Sequence, residues 1–268
     1  MNILDQIIDS KKTYLAQRRA LYPIALLEKS IYFSSPTVSL SSYLQRPDKV
    51  GVIAEIKRSS PSAGVINPYI NVEELAIGYM QAGASALSVL TDTPFFNGKD
   101  EDLTTARKYN FCPILRKDFI IDEYQIVEAR SLGADAILLI ATVLSAADTQ
   151  RLAKFARALN LEVILEVHDA CEIESHLTDN VSVIGINNRD LRTNQTKLET
   201  SFELISLLPQ DSIRISESGI KTPADFLKLK AAGFHGALIG EVFMKEPIPQ
   251  QACKTFIAAV LEAGKNEN

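Results

Sequence analysis

The fold is decided by the stretch Val50-Gly51-Val52-Ile53-Ala54-Glu55-Ile56-Lys57-Arg58-Ser59-Ser60-Pro61-Ser62-Ala63-Gly64. Its first half is an apolar run, which predicts a buried strand over Val50–Ile56. Glu55 and Lys57 stand two residues apart, so both side chains leave the same face of that strand. The serines, the proline and Gly64 that follow are typical of a loop that approaches a ligand closely. The stretch therefore predicts a strand that ends in charged side chains beside a ligand-binding loop.

Similar apolar runs recur along the chain and alternate with helical patterns. Strands are predicted at Val50–Ile56, Ala86–Leu90, Pro113–Arg116, Ala136–Ile140, Glu162–Leu165, Val183–Ile186, Ile213–Ser216 and Ala237–Ile239. Helices between them are predicted at Val72–Gln81, Tyr124–Leu132, Ala146–Leu159, Phe202–Leu208 and Pro223–Ala232. Strands that are apolar on both faces belong to a parallel sheet covered by helices. We therefore predict an α/β fold with a single (β/α)8 TIM barrel over residues 49–268.

A short repeat marks the entry to three of these strands. Ala82-Gly83-Ala84, Leu132-Gly133-Ala134 and Ala232-Gly233-Phe234 each end a helix with a glycine, where a left-handed cap is expected. An open doubly wound sheet would use the same turns, so the prediction of a closed barrel rests on the count of eight strands.

Residues 1–48 contain no convincing strand and are predicted to form a helical N-terminal extension packed on the barrel. Asn2 is a candidate cap for a helix over residues 2–18, and Ser39 for a shorter one around Leu40–Gln45; another short helix is predicted at Ile24–Ser30. The apolar side chains of the first helix fall mostly along one stripe, formed by Ile3, Leu4, Ile7, Ile8 and Leu15.

Composition limits the class of partner. The 268 residues carry a formal net charge of −5, which argues against nucleic acid or a membrane surface as the main partner. Cys112, Cys171 and Cys253 are widely spaced, which fits a reducing compartment, so a cytoplasmic protein is expected. Neither the cysteines nor the three histidines show metal-ligand spacing, and no metal is predicted.

Charged and polar residues follow most of the predicted strands. In parallel α/β folds the carboxyl ends of the strands meet at one mouth, where loops build the site. The candidates at these ends include Glu55, Lys57, Lys117, Glu166, Asn187, Arg189 and Glu217. After the last two strands, Ser218-Gly219 and Gly240-Glu241 offer backbone amides and a helix start, the common position for a phosphate.

Four of these segments together resemble the indole-3-glycerol-phosphate synthase family. They are Glu55–Ser62, Leu115–Phe119, Gly185–Leu191 and Ser216–Ile220, and the resemblance extends over nearly the whole chain, including the helical extension. Two departures are mild: Ala63 stands where many members carry Lys, and Glu241 where many have Ser.

The resemblance implies a carboxy-lyase of tryptophan biosynthesis that acts on 1-(2-carboxyphenylamino)-1-deoxyribulose 5-phosphate without a cofactor. Lys117 would protonate the substrate carbonyl, Lys57 would hold the anthranilate carboxylate, and Glu166 and Glu55 would exchange protons during dehydration. Asn187, Arg189 and Glu217 would orient the intermediate. The apolar wall for the ring would come from Pro61, Phe96, Phe119 and Leu191, and the phosphate site from Ser60, Lys57, Ser218, Gly219, Gly240 and Glu241.

Two other functions compete. Phosphoribosylanthranilate isomerase is a related barrel, but it places a cysteine and an aspartate where this chain has Glu55-Ile56-Lys57 and Asn187. A non-catalytic barrel that binds a phosphorylated ligand is the other, and the two lysines and three acids argue against it. A monomer is expected, with a weak dimer as the alternative.

Overall fold

The strands close into one parallel barrel. The computed structural model describes residues 3–190, 193 and 195–265, with only the backbone of Lys265. Eight strands form the barrel in chain order, and the first pairs with the last, at Val52 and Ala237. They are β1 (Val52–Ile56), β4 (Ala86–Leu90), β5 (Ile114–Lys117), β6 (Ala136–Ile140), β7 (Glu162–Val167), β8 (Val183–Asn187), β9 (Arg214–Glu217) and β10 (Gly236–Ile239). The predicted (β/α)8 barrel is confirmed.

Helices surround the barrel and cover its outer face. Those of the barrel are α4 (Val72–Gln81), α5 (Thr93–Phe96), α6 (Asp100–Tyr109), α7 (Glu123–Leu132), α8 (Ala146–Ala158), α9 (Ala170–His176), α10 (Glu199–Leu204), α11 (Pro223–Ala231), α12 (Glu241–Met244) and α13 (Pro249–Lys265). A short 3-10 turn, Ile205–Leu207, follows α10, so the helix predicted at Phe202–Leu208 is shorter and begins earlier. Side-chain caps fix several starts; Asn71, for example, accepts from the amides of Glu73 and Glu74.

Glycines with positive φ set the entry to the strands. Gly83, Gly133 and Gly233 have φ of 101°, 95° and 102°, which confirms the predicted left-handed turns. Gly51 has φ of 94°, and a side chain there would collide with the backbone of His235. Because a positive φ lies outside the strand conformation, β1 begins after Gly51, at Val52, and not at Val50 as predicted.

Two hydrophobic layers hold the barrel. Residues that point outward from the strands pack under the surrounding helices, as Val163 and Leu165 do with Leu152 and Ala156. Residues that point inward, such as Ile53, Leu115 and Ile164, fill the barrel itself.

The N-terminal extension reaches both ends of the barrel. It contains α1 (Ile3–Leu21), α2 (Ile24–Leu27) and α3 (Leu40–Leu44). Leu4 and Ile7 of α1 belong to the hydrophobic cluster inside the barrel, and so do Leu40 and Leu44 of α3. Ser39 caps α3 as predicted, and its hydroxyl also donates to Glu162, the first residue of β7. Since β7 begins at the amino end of the barrel, α3 covers that end.

A buried ion pair anchors α1 at the opposite end. The ammonium of Lys11 lies 2.9 Å from Asp92 Oδ2 and 2.6 Å from Asp118 Oδ1, and Lys11 is only 3% exposed. Asp92 follows β4 and Asp118 follows β5, both at the carboxyl end of the barrel. The predicted cap Asn2 lies outside the described residues. No helix in the described part of the chain is long and apolar enough to cross a membrane.

One small element is absent from the sequence-based prediction. After β1 the chain forms a two-stranded antiparallel ribbon of β2 (Ser59–Ser60) and β3 (Gly64–Val65). The ribbon turns Ser60, Pro61 and Ser62 toward the carboxyl mouth, where they line the main cavity.

Candidate active site

A cavity of about 480 Å³ opens at the carboxyl ends of the barrel strands. Every predicted site residue within the described part of the chain lines it: Glu55, Lys57, Ser60, Pro61, Phe96, Lys117, Phe119, Glu166, Asn187, Arg189, Glu217, Ser218, Gly219, Gly240 and Glu241. The remaining candidate, Leu191, lies outside the described residues. Residues scattered over nearly 190 positions of sequence therefore share one enclosure, which is the usual place for the active site of such a barrel.

Lys117 stands at the centre of this cavity, between two carboxylates. Its Nζ donates to Glu166 Oε2 at 2.8 Å and to Glu217 Oε2 at 2.6 Å. Asn187 Nδ2 donates to the other oxygen of Glu166 at 3.0 Å. The second oxygen of Glu217 is buried beside Gly185 and has no hydrogen bond from the described residues.

Burial and mutual charge set the proton affinities of these groups. Burial by itself lowers the pKa of Lys117, but the charges of Glu166 and Glu217 outweigh it and raise that pKa above its ordinary value. Burial acts to raise the pKa of Glu166, yet Lys117 and His168 lower it to about 2. Burial and the charge of Glu166 together raise the pKa of Glu217 to about 7, although Lys117 opposes them. At neutral pH Lys117 is thus an ammonium, Glu166 is a carboxylate and Glu217 is partly protonated.

A second lysine–carboxylate pair ends β1. Lys57 Nζ lies 2.6 Å from Glu55 Oε1, which is the contact expected for side chains on one face of the strand. Gly240, at the end of β10, lies so close to Glu55 that a side chain at position 240 would meet its carboxylate and Cβ. Glycine is therefore required there for β10 to pass beside the pair.

An apolar wall occupies one side of the cavity. The rings of Phe96 and Phe119 lie 6.1 Å apart between centroids, at 38° to each other. Further apolar side chains complete the wall, and the sequence reasoning did not assign them to the site: Ile3, Leu4, Ile7, Leu90, Leu138, Ile140 and Ile239. The stripe on α1 was visible in the sequence, but nothing in it indicated that the stripe faces the mouth of the barrel.

The candidate phosphate position lies at the ends of β9 and β10. Ser218 and Gly219 both have positive φ, 64° and 78°, in the turn after β9. Gly240 precedes the short helix α12. The carboxylate of Glu241, which would repel a phosphate, is held by Lys245 Nζ at 2.5 Å and lies 3.5 Å from Arg189 Nη2. These cations offset its charge, and the hydrogen bond from Lys245 lowers the pKa of Glu241.

Among the described residues, no group of three or more His, Cys, Asp or Glu side chains is arranged to hold a metal ion. The three cysteines are unpaired thiols; burial raises the pKa of Cys112 and of Cys253 to about 12, which keeps both protonated.

A closed barrel whose mouth holds a lysine between two acids, beside an apolar wall, is the arrangement of an acid–base enzyme of the TIM-barrel class. The particular family follows from comparison with known proteins. A family model described as "Indole-3-glycerol phosphate synthase" matches residues 4–256. The chain belongs to the indole-3-glycerol phosphate synthase family and is accordingly a decarboxylating lyase of tryptophan biosynthesis.

Curated relatives agree over nearly their full length. A protein of Bacteroides thetaiotaomicron named "Indole-3-glycerol phosphate synthase" is 45% identical over 259 residues, which are 97% of this chain and 99% of the relative. Proteins of the same name from Acinetobacter baylyi and Acidithiobacillus ferrooxidans are 43% and 42% identical. They cover 93% and 94% of this chain, and the matches span 93% and 97% of their own lengths.

Solved structures at low identity share the fold alone. "Thiamine phosphate pyrophosphorylase from Pyrococcus furiosus" superposes with a TM-score of 0.60 at 14% identity, over 80% of this chain and 97% of that one. A structure described as "Native KDPGal structure" gives a TM-score of 0.57 at 16% identity, over 83% and 96%.

Proposed function

We propose that the cavity closes the indole ring of 1-(2-carboxyphenylamino)-1-deoxyribulose 5-phosphate, with Lys117 as the acid that starts the reaction. The observation that carries this proposal is the position of Lys117 between Glu166 and Glu217, inside a cavity that also holds a second lysine and an apolar wall. Ring closure places negative charge on the substrate carbonyl oxygen, and an ammonium fixed there stabilises that charge as it develops.

Lys57 binds the anthranilate carboxylate in this scheme. Its ammonium is held by Glu55 at 2.6 Å and is partly exposed to the cavity, so it can reach an anionic ligand without losing its partner. A charge-assisted contact would fix the ring carbon that carries the carboxylate against the carbonyl carbon. The carboxylate leaves as CO2 after the new carbon–carbon bond has formed.

Glu166 removes the carbon-bound proton during the final loss of water, and Glu55 is the second candidate for this role. A carboxylate with a pKa of about 2 is a weak base. The charge of Lys117 contributes to that low value, so transfer of the lysine proton to substrate raises the basicity of Glu166 when a base is needed. Asn187, through its hydrogen bond to Glu166, and Glu217 would hold the arrangement.

The remaining contacts bind the two ends of the substrate. Phe96, Phe119 and Pro61 pack on the aromatic ring, and Leu191 is proposed for the same wall from its sequence position alone. The amides of Ser218-Gly219 and Gly240-Glu241, with help from Ser60 and Lys57, bind the phosphate, and Arg189 orients the intermediate. A crystal soaked in phosphate that shows the anion elsewhere would remove this assignment.

A single assay tests the function. The protein is incubated with the carboxyphenylamino-ribulose phosphate, and the fluorescence of the indole product is followed. We expect product to accumulate with release of CO2 and without added metal or cofactor. Isomerase activity on phosphoribosylanthranilate, or tight binding of substrate without turnover, would favour one of the two competing functions.

The division of the chain into a helical extension (residues 1–48) and a catalytic barrel (49–268) is also proposed. Its support is the contact of α1 with the mouth and of α3 with the amino end of the barrel.

A further inference from the structure

A second cavity lies beside the first and is lined almost entirely by polar side chains. Its volume is about 280 Å³, and Asn187 lines both cavities. The other residues around it come from the loops that follow β6, β7 and β8: Thr142, His168, Asp169, Glu172, Asn188, Asp190, Thr193, Gln195, Lys197 and Thr200. None of these was singled out as a site residue by the sequence, and the proposed reaction does not use them.

His168 joins this cavity to the catalytic centre. Its ring lies between two carboxylates: Nε2 is 3.4 Å from Glu166 Oε1, and Nδ1 is 3.3 Å from Glu172 Oε2. Nε2 is buried and makes no hydrogen bond within the described residues. Glu166 therefore faces Lys117 with one oxygen, through a hydrogen bond, and His168 with the other, at ion-pair distance.

The far side of the ring is fixed more firmly. The backbone amide of His168 donates to Glu172 Oε2 at 2.7 Å, and the hydroxyl of Thr142 donates to Glu172 Oε1 at 2.5 Å. Thr142 Oγ1 also lies 3.1 Å from His168 Nδ1. Glu172 is thus held in place to face the ring, which is the arrangement that keeps an imidazole oriented toward a partner.

The proposed reaction needs more protons than Lys117 can store. The carbonyl oxygen takes one proton on ring closure and a second when it departs as water, while only one proton returns from carbon. One proton is therefore consumed in each turnover, and the second is needed while the ring intermediate still fills the main cavity. Lys117 carries a single transferable proton, so the second proton must come from another group before product leaves.

We propose that His168 is a proton reserve for this reaction, held as an imidazolium between Glu166 and Glu172 and discharged through Glu166 to Lys117. The proposal rests on the function proposed above. His168 is a positioning residue in this scheme, because it acts through Glu166 and does not touch the substrate.

In each turnover His168 supplies the second of the two protons that Lys117 gives to the substrate. Lys117 gives its first proton to the carbonyl oxygen. The Nε2–H bond of His168 then breaks and its proton passes to Glu166 Oε1. The carboxyl group rotates to bring this proton to Lys117, the O–H bond breaks, and the Lys117 amine takes the proton. Lys117 protonates the same oxygen again, the C–O bond breaks with its electron pair, and water leaves. Glu166, again a carboxylate, takes the proton from carbon and passes it to the Lys117 amine, which becomes an ammonium again. One proton from solvent restores the imidazolium after product release.

Three charged groups bear on the imidazole from different elements. Glu166 on β7, Glu172 on α9 and Glu217 on β9 all favour its charged form. Burial opposes them by lowering the pKa of His168, but together they raise that pKa above its ordinary value. The carboxylates around the ring therefore favour the imidazolium over the neutral imidazole.

The test compares His168→Gln and His168→Ala with the parent and with His235→Gln, a control at the amino end of the barrel, where His235 precedes β10. We expect both His168 variants to lose on the order of 10-fold in kcat, with KM within about two-fold of the parent. The fall of kcat with rising pH that His168 causes in the parent should disappear. Imidazole added to His168→Ala should restore kcat in proportion to its concentration, and His235→Gln should match the parent.

A second measurement does not depend on turnover. Nitrogen NMR of the substrate-free parent should show both ring nitrogens of His168 protonated at pH 7, and Glu172→Gln should lower the pH at which the ring loses a proton. A neutral ring at pH 7 would overturn the proposal that His168 is a proton reserve. An unchanged kcat and pH profile in His168→Gln would also overturn it, and so would a loss of kcat in His168→Ala that imidazole does not restore. If the parent makes no indole product, the proposed function is refuted. The NMR measurement needs no turnover, so it tests the charge of His168 separately from that function.

Discussion

At the scale of single residues, the two lysines of the cavity should fail in different ways. Lys117→Ala removes the proposed proton donor, and positioned acid catalysis is worth about 10²–10⁴-fold in rate. We expect kcat to fall at least ~100-fold in the fluorescence assay, while exposed Lys154→Ala on α8 leaves it unchanged. Near-normal turnover by Lys117→Ala would show that this lysine is not the acid.

Loss of Lys117 should also make stability depend more strongly on pH. Without its ammonium, Glu166 and Glu217 remain buried beside each other and their pKa values rise. A raised carboxyl pKa gives a contribution to stability that is present at low pH and is lost as pH rises through the folded-state value. Urea unfolding of Lys117→Ala should therefore show a larger loss, relative to the parent, at pH 8 than at pH 5.5.

Lys57→Ala should weaken substrate binding more than it slows the later steps. A hydrogen bond to a charged group contributes about 1.5–3 kcal/mol, so KM should rise roughly 10-fold or more. Initial rates over a range of substrate concentrations would separate this result from that of Lys117→Ala. If Lys57→Ala leaves KM at the parent value and lowers only kcat, its assignment to the carboxylate is wrong.

At the scale of elements, α1 should be essential to both stability and the site. Lys11→Met leaves Asp92 and Asp118 buried without their cation, and breaking a buried pair in this way costs about 3–5 kcal/mol. Lys12→Met is the matched control, since Lys12 is exposed and pairs only with exposed Asp9, and its effect should stay within about 0.5 kcal/mol. Urea denaturation measures both.

Deletion of residues 1–26 extends this test to the whole helix. Leu4 and Ile7 would leave the apolar interior at the mouth, and Ile3 would leave the cavity wall. The shortened protein should melt at a lower temperature and bind substrate more weakly. A variant that melts and turns over like the parent would mean that the segment is only a tail.

The elements also show which features a sequence can predict. The glycines at 83, 133 and 233 were predicted to be left-handed because a helix end requires that conformation locally. The ribbon of β2 and β3 has two residues per strand, too few for any periodicity to register. The position of α1 over the mouth depends on Asp92 and Asp118, about 80 and 105 residues away, and no local pattern carries that information.

The residues of the site also differ in whether the sequence predicts them. Residues that end strands were found because parallel strands deliver them to one mouth, and this placed Lys117, Glu166 and Glu217 together before their contacts were known. His168 also follows a strand, but its importance comes from Glu172 one helical turn later and from Thr142 on another loop. The spacing of His168 from the other histidines and from the cysteines matched no metal-ligand motif, so the sequence did not single it out.

For the molecule as a whole, the shifted pKa values of Glu166 and Glu217 should make the free energy of unfolding depend on pH. Glu217 has a folded-state pKa of about 7 against an ordinary value of 4.5, so its contribution is present below pH 4.5 and lost as pH rises through 7. Glu166, with a pKa of about 2, contributes above pH 4.5 and loses that contribution as pH falls through 2.

Glu217→Gln should therefore remove a decline in stability that the parent shows between pH 5 and pH 8. Relative to the parent, the variant should gain on the order of 1–3 kcal/mol in free energy of unfolding over that interval. Glu203→Gln, an exposed glutamate on α10, serves as the control. If the difference between parent and Glu217→Gln is the same at both pH values, the pKa of Glu217 is not raised.

The pairing of β1 with β10 also governs how the protein is made. Val52 and Ala237 are partners in the barrel, yet 184 residues separate them along the chain. At about 5–20 residues per second, synthesis needs roughly 10–40 s to bring the second partner out after the first. During that interval the edge of β1 that pairs with β10 is unpaired and apolar. Glu55 and Lys57 also lack β10, the neighbouring strand that encloses them. Nascent chains that stop before β10 should therefore be inactive and prone to aggregate, with a strong dependence on chaperones.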